Sequence, residues 1–504
     1  MLITIYGFTR SFDVATGMTI RYYFDIGGRW VPHARYALSV VLELIGARGV
    51  SCNQAGEADL VYSYKRPENL RSDALWIRAE ESGNWHDPSP LVSTFDGLRI
   101  LSLGSSPEPT GDRNACNADL LYSSYGILTG ILERSQRRDQ WGVIICADST
   151  SMREGLLQRP VVAEYARYLK LRFERIGVKG NWLPLWPDGK SFAIVLTHDV
   201  DDPFSYSTAW YYARRLRRVH VSRGPSTFAI SGIGAIKQTL LSLLGKLPDL
   251  GQDKNLGFEM WREMEGRLRA HGTFYVATRS SAEFGTDARD VRYDFSHPLI
   301  ADALRRAVDS GWEVSLHASI NAKANDHWII EERQRLERIL TVVSIPGVRH
   351  HYWALDAEIP ERTLWQHVDA GFAYDSSFGL NDEIGFRRGM VHPYDPFDPE
   401  RNKTIPIIEV PCTLMDGGIF YKVISVEDAT RALESHVRQV ASAHGAVVLD
   451  WHIDKFNNIR TPGAIESLRN VLFSYAADNG VYWASAIELA EWWKKRRMAL
   501  AEGE

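Results

Sequence analysis

The stretch FAIVLTHDVDD, residues 192–202, decides how the rest of the chain is read. Phe192 to Leu196 is an apolar run with strand character. His198 to Asp202 then places one histidine and three acids in five positions. Asp199 and Asp201 are two apart at a strand end, so their side chains can share one face. Two carboxylates that close repel one another unless a cation lies between them. The plainer use of such acids is to accept backbone N–H bonds at a turn or helix start. The stretch alone does not choose between these uses.

Downstream, strand-like runs alternate with helical patterns. The runs are GTFYVA (272–277), WEVSLHA (312–318), GVRHHYW (347–353), IIEVPCT (407–413) and AVVLDWH (446–452). Between them lie DALRRAVDSG (302–311), EERQRLERILTVV (331–343) and AIESLRNVLFSYAADNG (464–480). Such alternation predicts a parallel sheet, open or closed into a barrel, with chemistry where strands end.

At 504 residues the chain is long enough for two or more domains, each with its own core. Residues 1–183 predict a smaller α/β, Rossmann-like domain of unassigned role. Its short apolar runs are LITIYGF, ADLVYSY, LRILSLG and WGVIICA, with helical RYALSVVLELIGARG and a closing helix at VVAEYARYLKLRFERIGV. No GxGxxG or phosphate-binding loop is present, so nothing indicates a nucleotide cofactor. NWLPLWPDGKS (181–191) marks the boundary, and residues 190–504 form the second domain. A helical insertion is expected at about 203–265. Its basic YYARRLRRVHVSRG and apolar FAISGIGAIKQTLLSLLGKL could lie on a membrane surface, or form a hairpin with a solvated basic face.

A net charge of −5 argues against nucleic acid as a partner. The 4 cysteines form no CxxC pair and fit reduced thiols. The opening MLITIYGFTRSFD has no signal-peptide pattern, and no run approaches the ~20 apolar residues of a membrane span. The expectation is a cytoplasmic protein, with peripheral contact to the inner face of the membrane if the insertion binds lipid. Oligomeric state is not legible.

Three further strand ends carry groups able to do chemistry. His317 ends WEVSLH and is either hydrogen-bonded or, beside two acids, an imidazole ligand for zinc or a related divalent ion. Arg349 in GVRHHYW can pair with a carboxylate and hold it ionised. His350 and His351 must face opposite sides, so at most one points into a site. His452, ending AVVLDWH, is placed as a general acid with a tunable pKa, or as a capped structural histidine.

In this order the strand ends resemble the polysaccharide deacetylases with a NodB-homology domain, carbohydrate esterase family 4. THDVD (197–201) resembles the family's first motif and HASIN (317–321) its H-[ST]-x-x-H motif. GVRHHYW resembles the arginine–aromatic third motif, and LDWH (449–452) the final histidine. HGTFYVA, GWEVSLH, GFAYDSSF and GFRRG support a match over roughly 190–500, similar to a divergent branch with an extra N-terminal α/β domain. The resemblance implies a distorted (β/α) barrel with a divalent metal, usually Zn2+. It makes Asp199 the general base, Asp201 and His317 metal ligands, Arg349 the orienter of Asp199, and His452 the general acid. Asn321 stands where the family has its second metal histidine, so the third ligand is either His351 or the Asn321 amide oxygen. Imidazole suits zinc better. Tyr352 and Trp353 are candidate substrate contacts.

The implied reaction is removal of an acetyl group, N-linked by preference with O-linked as the alternative, from a sugar of a surface polysaccharide or its lipid- or nucleotide-linked cytoplasmic precursor. Two other readings stand beside it. One keeps the machinery but cleaves another non-peptide amide, such as a ureide or cyclic imide. The other is a non-catalytic carbohydrate binder lacking a full ligand set.

Overall fold

The computed structural model describes residues 17–81, 84–104, 106–139, 142–203, 257–342, 344–420, 425–454 and 463–502. LITIYGF and most of the expected insertion, with its membrane contact, lie outside the described residues.

The chain first builds a five-stranded parallel sheet, in the order β2-β1-β3-β4-β7. Its strands are β1 (Met18–Asp25), β2 (Ala47–Ser51), β3 (Leu60–Ser63), β4 (Leu75–Arg78) and β7 (Ala115–Cys116). A separate antiparallel hairpin joins β5 (Leu91–Phe95) to β6 (Leu98–Ser102). Helices α1 (Val31–Ile45), α2 (Leu120–Leu128) and α3 (Val161–Arg175) complete this unit. The α/β alternation expected here is present. WGVIICA, expected as a strand, is not one among its described residues. Ile144 makes a lone bridge to Arg138, and Cys146–Asp148 is a single 3-10 turn. Its apolar side chains have other partners: Ile144 and Cys146 pack with Leu380, and Val143 with Trp353 and Cys412.

The second sheet is larger, curled and parallel, in the order β15-β12-β11-β10-β9-β8-β17-β16 with β18 also on β8. Its strands are β8 (Phe192–Val200), β9 (Thr273–Val276), β10 (Glu313–Ala318), β11 (Gly347–His350), β12 (Tyr374–Asp375), β15 (Ile408–Glu409), β16 (Leu414–Met415), β17 (Ala446–Asp450) and β18 (Val481–Ala484). A small antiparallel pair, β13 (Phe397–Asp398) with β14 (Lys403–Thr404), lies outside it. The sheet's two edges are joined by one chain segment: β15 pairs with β12, and β16, starting five residues after β15 ends, pairs with β17. The curled sheet is a half-barrel compatible with a (β/α) barrel, its two edges bridged by that short chain segment.

β8 is the strand about which the barrel is organised. Phe192–Val195 pairs with β18, Ala193–Thr197 with β17, and Thr197–Val200 with β9. All nine of its residues are buried, which explains its continuous apolar first half. Helices α4 (Phe258–Leu268), α5 (Pro298–Asp309), α6 (Asp326–Leu340), α7 (Pro360–Asp369), α8 (Val426–Ser442), α9 (Ala464–Ser474) and α10 (Ala486–Glu502) accompany the strands.

The two sheets share one core, and the second has a further core of its own around Ile194, Leu196, Phe274 and Val314. One apolar cluster runs from Ile20, Leu60 and Tyr165 through Trp186 to Val195, Tyr275 and Val448. The interdomain segment contributes Trp186 to it, and α10 turns back to lock that segment. Trp492 Nε1 donates to Leu185 O (2.8 Å) and Arg496 Nε to Pro184 O (2.8 Å).

Alternation along β8 sends His198 away from the acids. Its Nε2 lies 2.6 Å from Glu265 Oε1, and Glu265 Oε2 also accepts from Gly272 N (2.8 Å) and Trp312 Nε1. Glu265 is fully buried and serves three polar partners. Glu265→Ala is therefore expected to cost about 3 kcal/mol of stability by leaving buried groups unpaired. A urea titration measures it, and a loss below about 1 kcal/mol would mean the network relaxes around the gap.

Candidate active site

Every group singled out at a strand end lies at the same, C-terminal end of the barrel. Asp199 is in β8 and Asp201 just beyond it. His317 is in β10, Arg349 in β11, and His351 opens the turn after it. Asp450 ends β17, and His452 follows.

Asp201, His317 and His351 converge. Asp201 Oδ1 is 3.4 Å from His317 Nε2, and Asp201 Oδ2 is 3.4 Å from His351 Nε2. One ligand atom from each lies within 4.8 Å of the others. Asp201 Oδ1 and His317 Nε2 are buried and have no hydrogen-bond partner. Tetrahedral zinc, with bonds of about 2.1 Å, places its donor atoms roughly 3.4 Å apart, so this set fits such an ion. The far side of each ring is fixed. His317 Nδ1 lies 3.1 Å from Arg349 O, and because a carbonyl only accepts, Nδ1 donates there and Nε2 is turned toward Asp201. His351 Nδ1 is 3.1 Å from Asp290 Oδ1, which also accepts from Ile320 N (3.0 Å).

Asn321, the alternative third ligand, lies beyond the strand in a short turn. Its Nδ2 donates to Gly285 O (3.0 Å), in the turn Ile320–Ala324. A 3-10 turn starts directly after His317–Ser319, so residue 321 is carried off the strand line and its amide is used to hold a loop. His350 points the other way from His351, with Nε2 3.0 Å from His367 Nε2.

Asp199 sits beside this set, with Oδ2 3.5 Å from His317 Nε2. Arg349, fully buried, donates from Nη1 to Asp199 Oδ1 (2.8 Å) and to Thr197 Oγ1 (2.8 Å). Its Nε and Nη2 donate to Ser376 O (3.2 Å) and Ser376 Oγ (3.0 Å), and it lies over the rings of Tyr275 and Trp353. Burial would raise the Asp199 carboxyl, but His317 and Arg349 hold it below its ordinary value. Asp450 faces the same guanidinium at 3.4 Å, and burial with the Asp199 charge pushes its carboxyl well up. The two carboxyls of this pair are thus pushed in opposite directions.

His452 stands on the other side of Asp201, with Nε2 3.5 Å from Asp201 Oδ2. Burial would lower its pKa, but Asp416 and Asp450 raise it well above the usual histidine range. Asp416 Oδ2 accepts from His452 N (2.8 Å) and lies 3.0 Å from Nδ1. Sequence reasoning passed over Asp416 and Asp290. Asp416 follows β16, and an acid directly after an apolar pair was the available signal. Asp290 is in an irregular loop and offered none.

Tyr352 has φ +57° and stacks on His351 (centroids 4.3 Å apart), half-buried at the rim. Trp353 is only 3% exposed, packs with Val143 and Cys412, and lies beside the Arg349 guanidinium.

No family model and no curated protein matches the chain. Among solved structures it is similar to an inferred polysaccharide deacetylase from Mycobacterium smegmatis (18% identity, 62% of this chain, 93% of that one, TM-score 0.39). It is also similar to the allantoinase Puue (13%, 62% and 92%, 0.38) and to an inferred polysaccharide deacetylase from Pseudomonas aeruginosa PAO1 (13%, 62% and 93%, 0.36).

The donor set makes a direct prediction. Purified protein is expected to hold about one zinc per chain, lost in His317→Ala and in His351→Ala but kept in Asn321→Ala. Elemental analysis after dialysis reads it. Zinc loss in Asn321→Ala with retention in His351→Ala would reverse the assignment.

Proposed function

We propose that the chain is a metal-dependent hydrolase of a carbon–nitrogen bond that removes the acetyl group from an N-acetylated sugar. The observation that carries this reading is the placement of a three-donor set between a carboxylate clamped by arginine and a histidine held by Asp416. Two imidazoles and a carboxylate suit zinc, with Asp201, His317 and His351 as its holders. Bound there, the ion supplies Lewis acidity, polarising the acetyl carbonyl and acidifying water.

The chain's own groups supply the proton transfers. Arg349 occupies Asp199 Oδ1, which leaves Oδ2 as the atom that accepts the proton of the attacking water. The water oxygen forms the new bond to the acetyl carbon. His452 Nε2 gives its proton to the sugar nitrogen as the C–N bond breaks, so an amine leaves rather than an amide anion. Asp416 keeps that imidazole oriented, with its Nδ1 side fixed and Nε2 facing the site. The products are acetate and the free amino sugar.

The rival reading of a non-catalytic binder drew on an incomplete ligand set, and the approach of His351 Nε2 to Asp201 Oδ2 (3.4 Å) favours the catalytic reading with His351 as third ligand. The preferred substrate is a surface polysaccharide or its lipid- or nucleotide-linked precursor, met on the cytoplasmic side of the membrane. No helix among the described residues is long and apolar enough to cross a membrane.

Asp199→Asn is expected to keep its zinc and lose about 10³-fold in turnover of N-acetylated oligosaccharides, measured as acetate released. His452→Gln should lose a comparable factor. Ammonia or ring-opened product from a ureide or cyclic imide, without acetate from any sugar, would move the chemistry to the other amide class. Full activity in Asp199→Asn would remove that residue from the mechanism.

A further inference from the structure

The string GFRRG (385–389) and the first-sheet unit take no part in the mechanism above. The structure places them against each other. Arg387 and Arg388 are both buried, and both reach Glu133 of the first-sheet unit: Arg387 Nη2 is 3.1 Å from Glu133 Oε2, and Arg388 Nε is 3.2 Å from Oε1. Gly389, at φ +61°, has no room for a side chain, since a Cβ would come within 2.7 Å of Ile127 and Val161. Burial would raise the Glu133 carboxyl, yet the two guanidiniums hold it at about 2. Glu133 is thus the nearer counter-charge of both buried cations, with Glu361 Oε1 3.9 Å from Arg388 Nη1.

The same two arginines touch the loop that holds Arg349. Arg387 Nη1 donates to Gly379 O (3.4 Å), and both guanidiniums lie over the ring of Phe378, at 5.1 and 4.7 Å. Two residues earlier, Ser376 supplies the oxygens that receive Arg349 Nε and Nη2. Ser377 Oγ accepts from His350 N (3.0 Å), next to His351. A second route runs through Trp353. Val143 of the first-sheet unit packs on it, Gly379 lies so close that a Cβ would meet its ring at 2.7 Å, and its other neighbour is the Arg349 guanidinium. Asn381 Nδ2 also donates to Asp139 Oδ2 (3.3 Å).

We propose that the first-sheet unit is a built-in brace of the active site: Glu133 is a positioning residue that, through Arg387 and Arg388, fixes the Ser376–Gly379 loop and hence Arg349 against Asp199. The loop is tied to its own sheet, with Ser376 Oγ donating to Val410 O (2.8 Å) and Phe378 N to Glu409 Oε1 (3.1 Å), and the neighbouring unit adds the contacts at Phe378 and Gly379. Without the Glu133 charge, two buried guanidiniums must seek other partners, and the loop moves with them. Loss of a fraction of an ångström at Arg349 weakens the alignment of Asp199 with its water, an orientation effect on turnover rather than on binding.

The brace rests on the proposed hydrolytic reading for its catalytic consequence but not for its structural one, so the test has two arms. The variants are Glu133→Gln, Val143→Ala and, as control, Glu43→Gln, whose partner Arg497 (3.1 Å) also links the two units but lies outside this loop. In the first arm, hydrogen exchange of the unliganded protein is followed at residues 349–353 and 376–380. Glu133→Gln, and to a smaller degree Val143→Ala, should speed exchange there by about 10-fold while β8 and β17 are unchanged, and Glu43→Gln should not. In the second arm, kcat for acetate release, per zinc-loaded chain, should fall by about 10-fold in Glu133→Gln with KM within about 2-fold, and stay at the wild-type value in Glu43→Gln. Local exchange and kcat both unchanged in Glu133→Gln, or exchange raised uniformly over the chain, would overturn the brace. If wild-type protein releases no acetate, the hydrolytic reading fails while the exchange arm still decides the brace.

Discussion

A guanidinium with no solvent exposure, Arg349 at the barrel's C-terminal end, is the constraint that organises the rest. A buried cation must find a counter-charge and satisfy its N–H donors, or fold stability suffers. Asp199 provides the charge, Thr197 and Ser376 the remaining acceptors, and Tyr275 and Trp353 two ring faces. These partners come from β8, the β12 loop, β9 and the turn after β11. Placing one side chain therefore fixes the relative position of four barrel elements. It also fixes which oxygen of Asp199 is left for chemistry.

The second acid of the first motif shows the opposite condition. Asp201 has no arginine, only imidazole nitrogens held at 3.4–3.5 Å by His317, His351 and His452. Each of those rings is anchored on its other nitrogen, to a carbonyl or a carboxylate. Anchoring the far nitrogen of a ring turns the near one toward a shared point, and this is how a protein prepares a cation site from groups that would otherwise rotate. One strand thus delivers two carboxylates with different roles, because one faces a fixed internal cation and the other a place for a bound one.

Legibility followed the range of the interaction. The strands β8, β9, β10, β11 and β17 were all visible as apolar runs, because burial on both faces of a parallel sheet leaves a local mark. WGVIICA carried the same mark and forms no strand among its described residues: Val143 and Ile144 pack against Trp353 and Leu380, residues more than two hundred positions away. Apolar periodicity reports that a segment is buried, not what it is buried against. Asp416 and Asp290 were missed for a related reason, since their roles exist only in contact with His452 and His351. Asn321 fitted a motif position, yet the 3-10 turn that begins at Ile320 takes its amide to Gly285 O.

The sequence by itself determined which residues stand at strand ends: Asp199, Asp201, His317, Arg349 and His452 are each preceded by an apolar run, and a strand's period of two dictates which neighbours share a face. It determined, too, that His350 and His351 could not both point inward. Only the tertiary structure decided that His351 is the one facing Asp201, that Asp416 is the partner of His452, and that the two sheets share a core. Strand position is a local consequence of burial and backbone geometry. Convergence of four strand ends on one point depends on sheet order, curl and register, which arise from pairings between segments far apart in the chain.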